Sequence, residues 1–75
     1  MKPYRDLSGR SGIEAYEILD DGILIAFKGG GTYRYDVRNP GRLAVAVMKR
    51  LAVEGRGLST YITRHVRDDY AEKLD

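Results

Sequence analysis

Arginine is the main chemistry this chain carries. Between residues 38 and 67 stand Arg38, Arg42, Lys49, Arg50, Arg56, Arg64 and Arg67 against a single acid, Glu54. Seven cations against one anion leave a local excess of six, which could attract an anionic partner or simply solvate a helix face. Upstream, Tyr33 and Tyr35 flank Arg34, and Lys28 stands just before a run of glycines. Exposed tyrosines stack nucleobases and arginines hold phosphates. The candidate nucleic-acid-binding residues are therefore Lys28, Arg34, Arg42, Lys49, Arg50, Arg56, Arg64 and Arg67, with Tyr33 and Tyr35 as candidate base-stacking residues. A second reading places Tyr33 and Tyr35 in the core beneath the first helix. Only the cations would then remain for RNA, and phosphate contacts alone give weak, sequence-tolerant, salt-sensitive binding.

The inventory for covalent or metal chemistry is thin. His65 is the only histidine and there is no cysteine, so no histidine pair and no thiolate can hold a metal. Ser8, Ser11, Ser59 and Thr63 have no base-and-orienter arrangement in sequence. Asp20-Asp21 precedes Gly22 and reads as a turn. Phosphate-cradling glycine loops run from a strand into a helix N-terminus, whose dipole assists. Gly29-Gly30-Gly31 instead runs into Thr32-Tyr33-Arg34-Tyr35, which alternates like a strand. The expectation is a protein that is not an enzyme, with no catalytic residue, metal site, cofactor or small-molecule substrate.

The elements that would position the cations and tyrosines follow from periodicity. Ile23, Ile25 and Phe27 alternate with Leu24 and Ala26, and Tyr33, Tyr35 and Val37 alternate with Thr32, Arg34 and Asp36. A period of two places alternate side chains on opposite faces of a sheet. The three glycines between them supply the positive φ that a tight reversal needs. Ile13 to Leu19 is a further strand candidate with no cleanly apolar face, as expected at a sheet edge. Asn39 and Pro40 suit the N-cap and first position of a helix, and Gly55 suits its C-terminus. Within it, Leu43, Val47 and Leu51, widened by Ala44, Met48 and Ala52, form the expected buried stripe. Ser59 would cap a second helix with Ile62, Val66 and Tyr70 facing inward. The resulting fold class is α+β, a three-stranded antiparallel β-meander followed by two α-helices packed on one face.

This order of residues resembles the KTSC domain, a short module found at the C-terminus of some lysyl-tRNA synthetases and as a stand-alone small protein. The resemblance is carried by Ser11-Gly12-Ile13, by Leu24 to Phe27, and by Gly30-Gly31-Thr32-Tyr33-Arg34-Tyr35-Asp36-Val37. It continues through a helix to Gly55 and to Leu58-Ser59 with Ile62 behind them. The chain departs from the pattern where Arg38 and Asn39 intervene before Pro40. The resemblance implies a β-meander with helices and no established enzyme activity. Its link to a tRNA-charging enzyme makes RNA an expected partner by analogy.

Domain boundaries follow as an irregular lead-in over 1–10, a KTSC-like domain over 11–70 and a frayed end over 71–75. A 75-residue chain buries only about 60% of the surface its unfolded form exposes, so a second copy or another protein is an alternative partner. A homodimer would be expected to cover Val45 or Val53 on the apolar helix. No apolar run approaches the roughly 20 residues of a membrane span, and no apolar leader opens the sequence. With no cysteine present, the expected location is cytoplasmic, with no membrane partner.

Overall fold

The computed structural model describes residues 1–75. At its centre is a β-hairpin, with β3 (Gly22–Phe27) paired antiparallel to β4 (Gly31–Asp36) so that Ile23 faces Tyr35 and Ile25 faces Tyr33. The reversal between them uses positive φ at Gly29 and Gly31 (70° and 88°) but not at Gly30. Gly22 is needed for a different reason, since a Cβ there would overlap the carbonyl oxygen of Tyr35. Ile23 and Ile25 are fully buried, each gaining about 1.5–3 kcal/mol from leaving water.

On the other side of β3 lies β2 (Ile13–Leu19), and its mixed pattern now has a cause. Between Ile13 and Ala15 the register slips, so two residues of β2 span a single step of β3. The bulge reverses the alternation, and Ile13 and Tyr16 both reach the buried face instead of Ile13 sharing a face with Ala15.

The sheet has five strands, two more than the expected three-stranded meander. Lys2–Pro3 forms β1 along β2, and Glu72–Lys73 forms β5 along β4, completing the antiparallel order β1-β2-β3-β4-β5. Two-residue strands carry no periodic signal, so pairing alone reveals them. The expected frayed end is held by Ala71 N–H to Arg34 O, Leu74 N–H to Thr32 O (both 2.8 Å), and Thr32 N–H to the Asp75 carboxylate. The expected irregular lead-in is likewise anchored. Tyr4 is in the core, and the Arg5 guanidinium donates to Val53 O (2.7 Å) and Glu54 O (3.0 Å), satisfying carbonyls left open at a helix end. Burial pushes the Tyr4 hydroxyl pKa up, and that hydroxyl accepts the Leu58 N–H at 3.4 Å.

Helix α1 (Arg42–Glu54) packs on β3 and β4 with most of the expected stripe inward, Met48 and Ala52 buried and Ala44, Val47 and Leu51 half-buried, but turned enough to exchange Leu43 for Val45. Val45, Met48 and Ala52 are its buried residues, while Leu43 is 83% exposed. The start of the helix also differs from the expected one. Asp36 accepts the N–H groups of Arg38 (2.9 Å) and Asn39 (3.1 Å), and Gly41 N–H closes onto Asp36 O (3.1 Å). This closed turn absorbs Asn39 and Pro40, and Gly41 stands as the N-cap. Val45, at 3% exposed, is an internal core residue that no partner can reach, which removes it from the expected dimer face. Leu43 and Val53 remain exposed, ten residues and about 15 Å apart along the helix axis, too far to form one patch.

The second helix is a short α2 (Leu58–Tyr61) that widens directly into a π-helical turn, Ile62–Val66. Gly57 takes the N-cap position expected for Ser59. Leu58, Ile62 and Val66 are buried against the sheet core. No helix is long and apolar enough to cross a membrane.

Met48 has no exposed surface, so Met48→Ala should lose about 2–5 kcal/mol of stability, whereas Leu43→Ala should change it by no more than about 0.5 kcal/mol. Urea unfolding of the two variants tests this. Comparable losses would mean that α1 presents a different face to the sheet.

Candidate nucleic-acid interface

Between β4 and the turn that leads into β5 lies an open cleft of about 290 Å3. The cleft is lined mainly by Phe27 from β3, Tyr33 and Tyr35 from β4, Tyr70, and the adjacent pair Arg67 and Asp68. Tyr33 is the hub of the rings, edge-on to Phe27 at 5.7 Å and to Tyr70 at 4.7 Å between centroids. Tyr35 lies edge-on to Tyr70 at 6.5 Å. Such edge-to-face pairs are worth about 0.5–1.5 kcal/mol beyond area burial. Lys73, opposite Tyr33 in the β4–β5 register, places its ammonium 5.7 Å from the Tyr33 ring centroid.

The two readings of the tyrosines therefore divide between the residues. Tyr35 is 2% exposed and belongs to the core. Tyr33 is half-buried and lines the cleft. Much of their cover comes from Tyr70 and the C-terminal turn, beyond the first helix. Burial pushes the Tyr35 hydroxyl up to about 12, reinforced by the nearby Tyr33, Tyr70 and Asp68 groups.

The eight candidate cations also separate. Arg34 lies on the sheet face opposite the cleft, held by Asp21 (Nη2 to Oδ2, 3.1 Å) and Asp36 (Nε to Oδ2, 3.6 Å). The second contact is an ion pair too long for a hydrogen bond, so the buried Nε has no hydrogen-bond acceptor. Lys49 donates to Leu19 O (2.7 Å), fastening α1 to the turn between β2 and β3. Lys28 approaches Asp6 at 3.7 Å but remains largely exposed, so this pair contributes little and leaves the ammonium accessible. Arg42, Arg50, Arg56, Arg64 and Arg67 are exposed and make no ion pair within the chain. Of these, Arg67 lines the aromatic cleft.

Two carboxylates are tuned by their turns. Hydrogen bonds from the Asn39 and Arg38 N–H groups, opposed by partial burial and helped by Arg34 and Arg38, hold Asp36 below the usual carboxylate range. At Asp6 burial pushes upward, but Ser11, Lys28 and Ser8 together outweigh it and lower the pKa.

A second cleft, about 440 Å3, lies between α1 and the β2–β3 turn, lined in part by Asp20, Asp21, Arg42 and Lys49. Its charges are mixed, and Lys49 is already engaged with backbone carbonyls, which makes it a poorer grip for an anion. No group of three or more His, Asp or Glu side chains is placed to hold a metal ion. His65 is exposed and lies against the Tyr61 ring at 4.9 Å.

Phe27, Asp68, Tyr70 and Lys73 are the lining or flanking residues that spacing did not mark as a site. Tyr70 was legible only as an inward-facing position, and Lys73 meets Tyr33 through a strand too short to show a pattern. Comparison with protein families, curated proteins and solved structures finds no match.

Tyr35 has a pKa raised from 10.0 in the unfolded chain to about 12 in the folded one. Its contribution to stability should be intact below pH 10 and lost progressively as pH rises toward 12. Tyr35→Phe should flatten this alkaline decline in denaturant unfolding measured across that range. An unchanged slope would show that another group causes it.

Proposed function

We propose that this chain is a small non-catalytic binding module for single-stranded RNA, with the cleft beside β4 accepting an unpaired base. The observation that carries the proposal is the meeting of three partly exposed aromatic residues, Phe27, Tyr33 and Tyr70, with Arg67 around one open cleft floored by Tyr35. Aromatic side chains accept any base by stacking, worth about 1–3 kcal/mol per base. Exposed Arg64 and Arg67 on the C-terminal turn, with Lys73 at the edge, supply cations for the flanking phosphates.

The run Gly30-Gly31-Thr32-Tyr33-Arg34-Tyr35-Asp36-Val37, which carries the resemblance to the KTSC domain, contributes Gly30, Tyr33 and Tyr35 to the cleft wall. The proposed family relation and the proposed site thus rest on the same strand. Arg34 has an architectural part in this reading, while Arg42, Arg50 and Arg56 add a diffuse positive field that steers RNA toward the domain.

Fluorescence anisotropy with a labelled short single-stranded RNA tests the proposal. Binding at low salt should weaken linearly on a log–log plot against salt, by roughly 0.7 decades per decade of salt for each neutralised phosphate. Tyr70→Ala should reduce affinity by about 1–3 kcal/mol while the circular dichroism spectrum is retained. Absence of binding to any RNA at low salt would overturn the proposal.

A further inference from the structure

Arg67 and Asp68 are neighbours in sequence, yet both line the same cleft. Regular structure separates adjacent side chains, by about 100° around a helix or onto opposite faces of a strand. Here the π-helical turn ends, and both residues border the cleft. Arg67 N–H closes onto Ile62 O at 2.6 Å, and Arg67 then takes φ 53° and ψ −121°, a sparsely populated conformation for a residue with a side chain. Asp69 N–H bonds Val66 O (3.0 Å), and Tyr70 N–H bonds Asp68 O (2.9 Å). The turn that carries Arg67 and Asp68 is thus tied at several points, and neither residue forms an ion pair with the other or with any other group.

Two opposite charges left apart in an aromatic cleft fit a flat ligand with hydrogen-bond donors on one edge and an anion on another. We infer that the cleft selects guanine among the bases, with the Asp68 carboxylate accepting from its N1–H and N2–H2 groups and Arg67 holding an adjoining phosphate. This inference rests on the RNA-binding reading above and specifies the base.

Donor geometry separates the bases. A carboxylate presents two acceptor oxygens and no donor. Guanine is the base whose Watson–Crick edge offers two adjacent donors. Adenine places an acceptor, N1, beside its amino group, and cytosine places N3 beside its own. Uracil flanks its single N3–H with two carbonyl oxygens. Each of these three would set an acceptor lone pair against the Asp68 charge. A charge-assisted bidentate pair is roughly twice as strong as a neutral one. The cleft, at about 290 Å3, falls just below the ~300–1,000 Å3 of small-molecule sites, a size suited to one base and not to a stack of several.

The test uses the full chain and short oligouridines with a single central G, A, C or U, measured by anisotropy at low salt. The G oligonucleotide should bind roughly tenfold or more tightly than the others, as bidentate readout provides. Inosine at the centre, which keeps N1–H but lacks the amino group, should fall between G and A. Asp68→Asn, at an exposed position, should erase the preference for G, with the circular dichroism spectrum checking that the fold is retained. Arg67→Ala should weaken all four alike. Equal binding of the four oligonucleotides by the unmodified protein, or a G preference that survives in Asp68→Asn, would overturn the guanine assignment and leave the RNA-binding reading standing. No binding of any oligonucleotide would overturn both.

Discussion

Ile23 and Ile25 reach complete burial because the chain closes over β3 from several directions. Helix α1 brings Val45, Met48 and Ala52 across the hairpin, the C-terminal turn brings Ile62 and Val66, and the N-terminal segment brings Tyr4. Fourteen of 75 residues are buried, so each of these contributions is a large part of a small core. Domains of this size have little stability to spare. That constraint explains why both chain ends are recruited. Arg5 occupies the last carbonyls of α1, and Glu72–Lys73 extends the sheet at the edge of β4.

The same covering accounts for the cleft. A 13-residue helix packs on β3 and β4, and the shorter C-terminal turn with Tyr70 must cover the part of β4 that holds Tyr33 and Tyr35. It does so incompletely. Tyr35 falls under cover, Tyr33 only half so, and Phe27 and Tyr70 close the margin with ring edges. An aromatic residue at such a margin is neither wholly architecture nor wholly site. The π-helical widening and the unusual backbone at Arg67 bring Arg67 and Asp68 together on the rim of this gap. Both irregularities are of the kind that accumulates where a fold serves a ligand.

Charge is apportioned by the same geometry. Side chains that reach a backbone carbonyl or a carboxylate of a neighbouring element, as Lys49 and Arg34 do, become fasteners. Those on the outer surface of α1 and on the C-terminal turn find nothing within reach and remain available to a partner. A count of cations along the chain cannot tell these groups apart, since the distinction depends on distances between elements far apart in sequence.

Several features were readable without coordinates because they depend on neighbours in sequence. The period of two in Ile23–Phe27 and Tyr33–Tyr35, the glycine reversal between them, the helix ending at Gly55 and the α+β class all rest on local backbone preference and side-chain alternation. Features created by non-local contact were not readable. The bulge in β2 appears only against its partner strand, the burial of Val45 in place of Leu43 appears only once α1 packs on the sheet, and the two-residue outer strands exist only as pairings. The aromatic cleft joins residues from 27 to 70, and a stretch of chain cannot announce a neighbour that only folding brings to it.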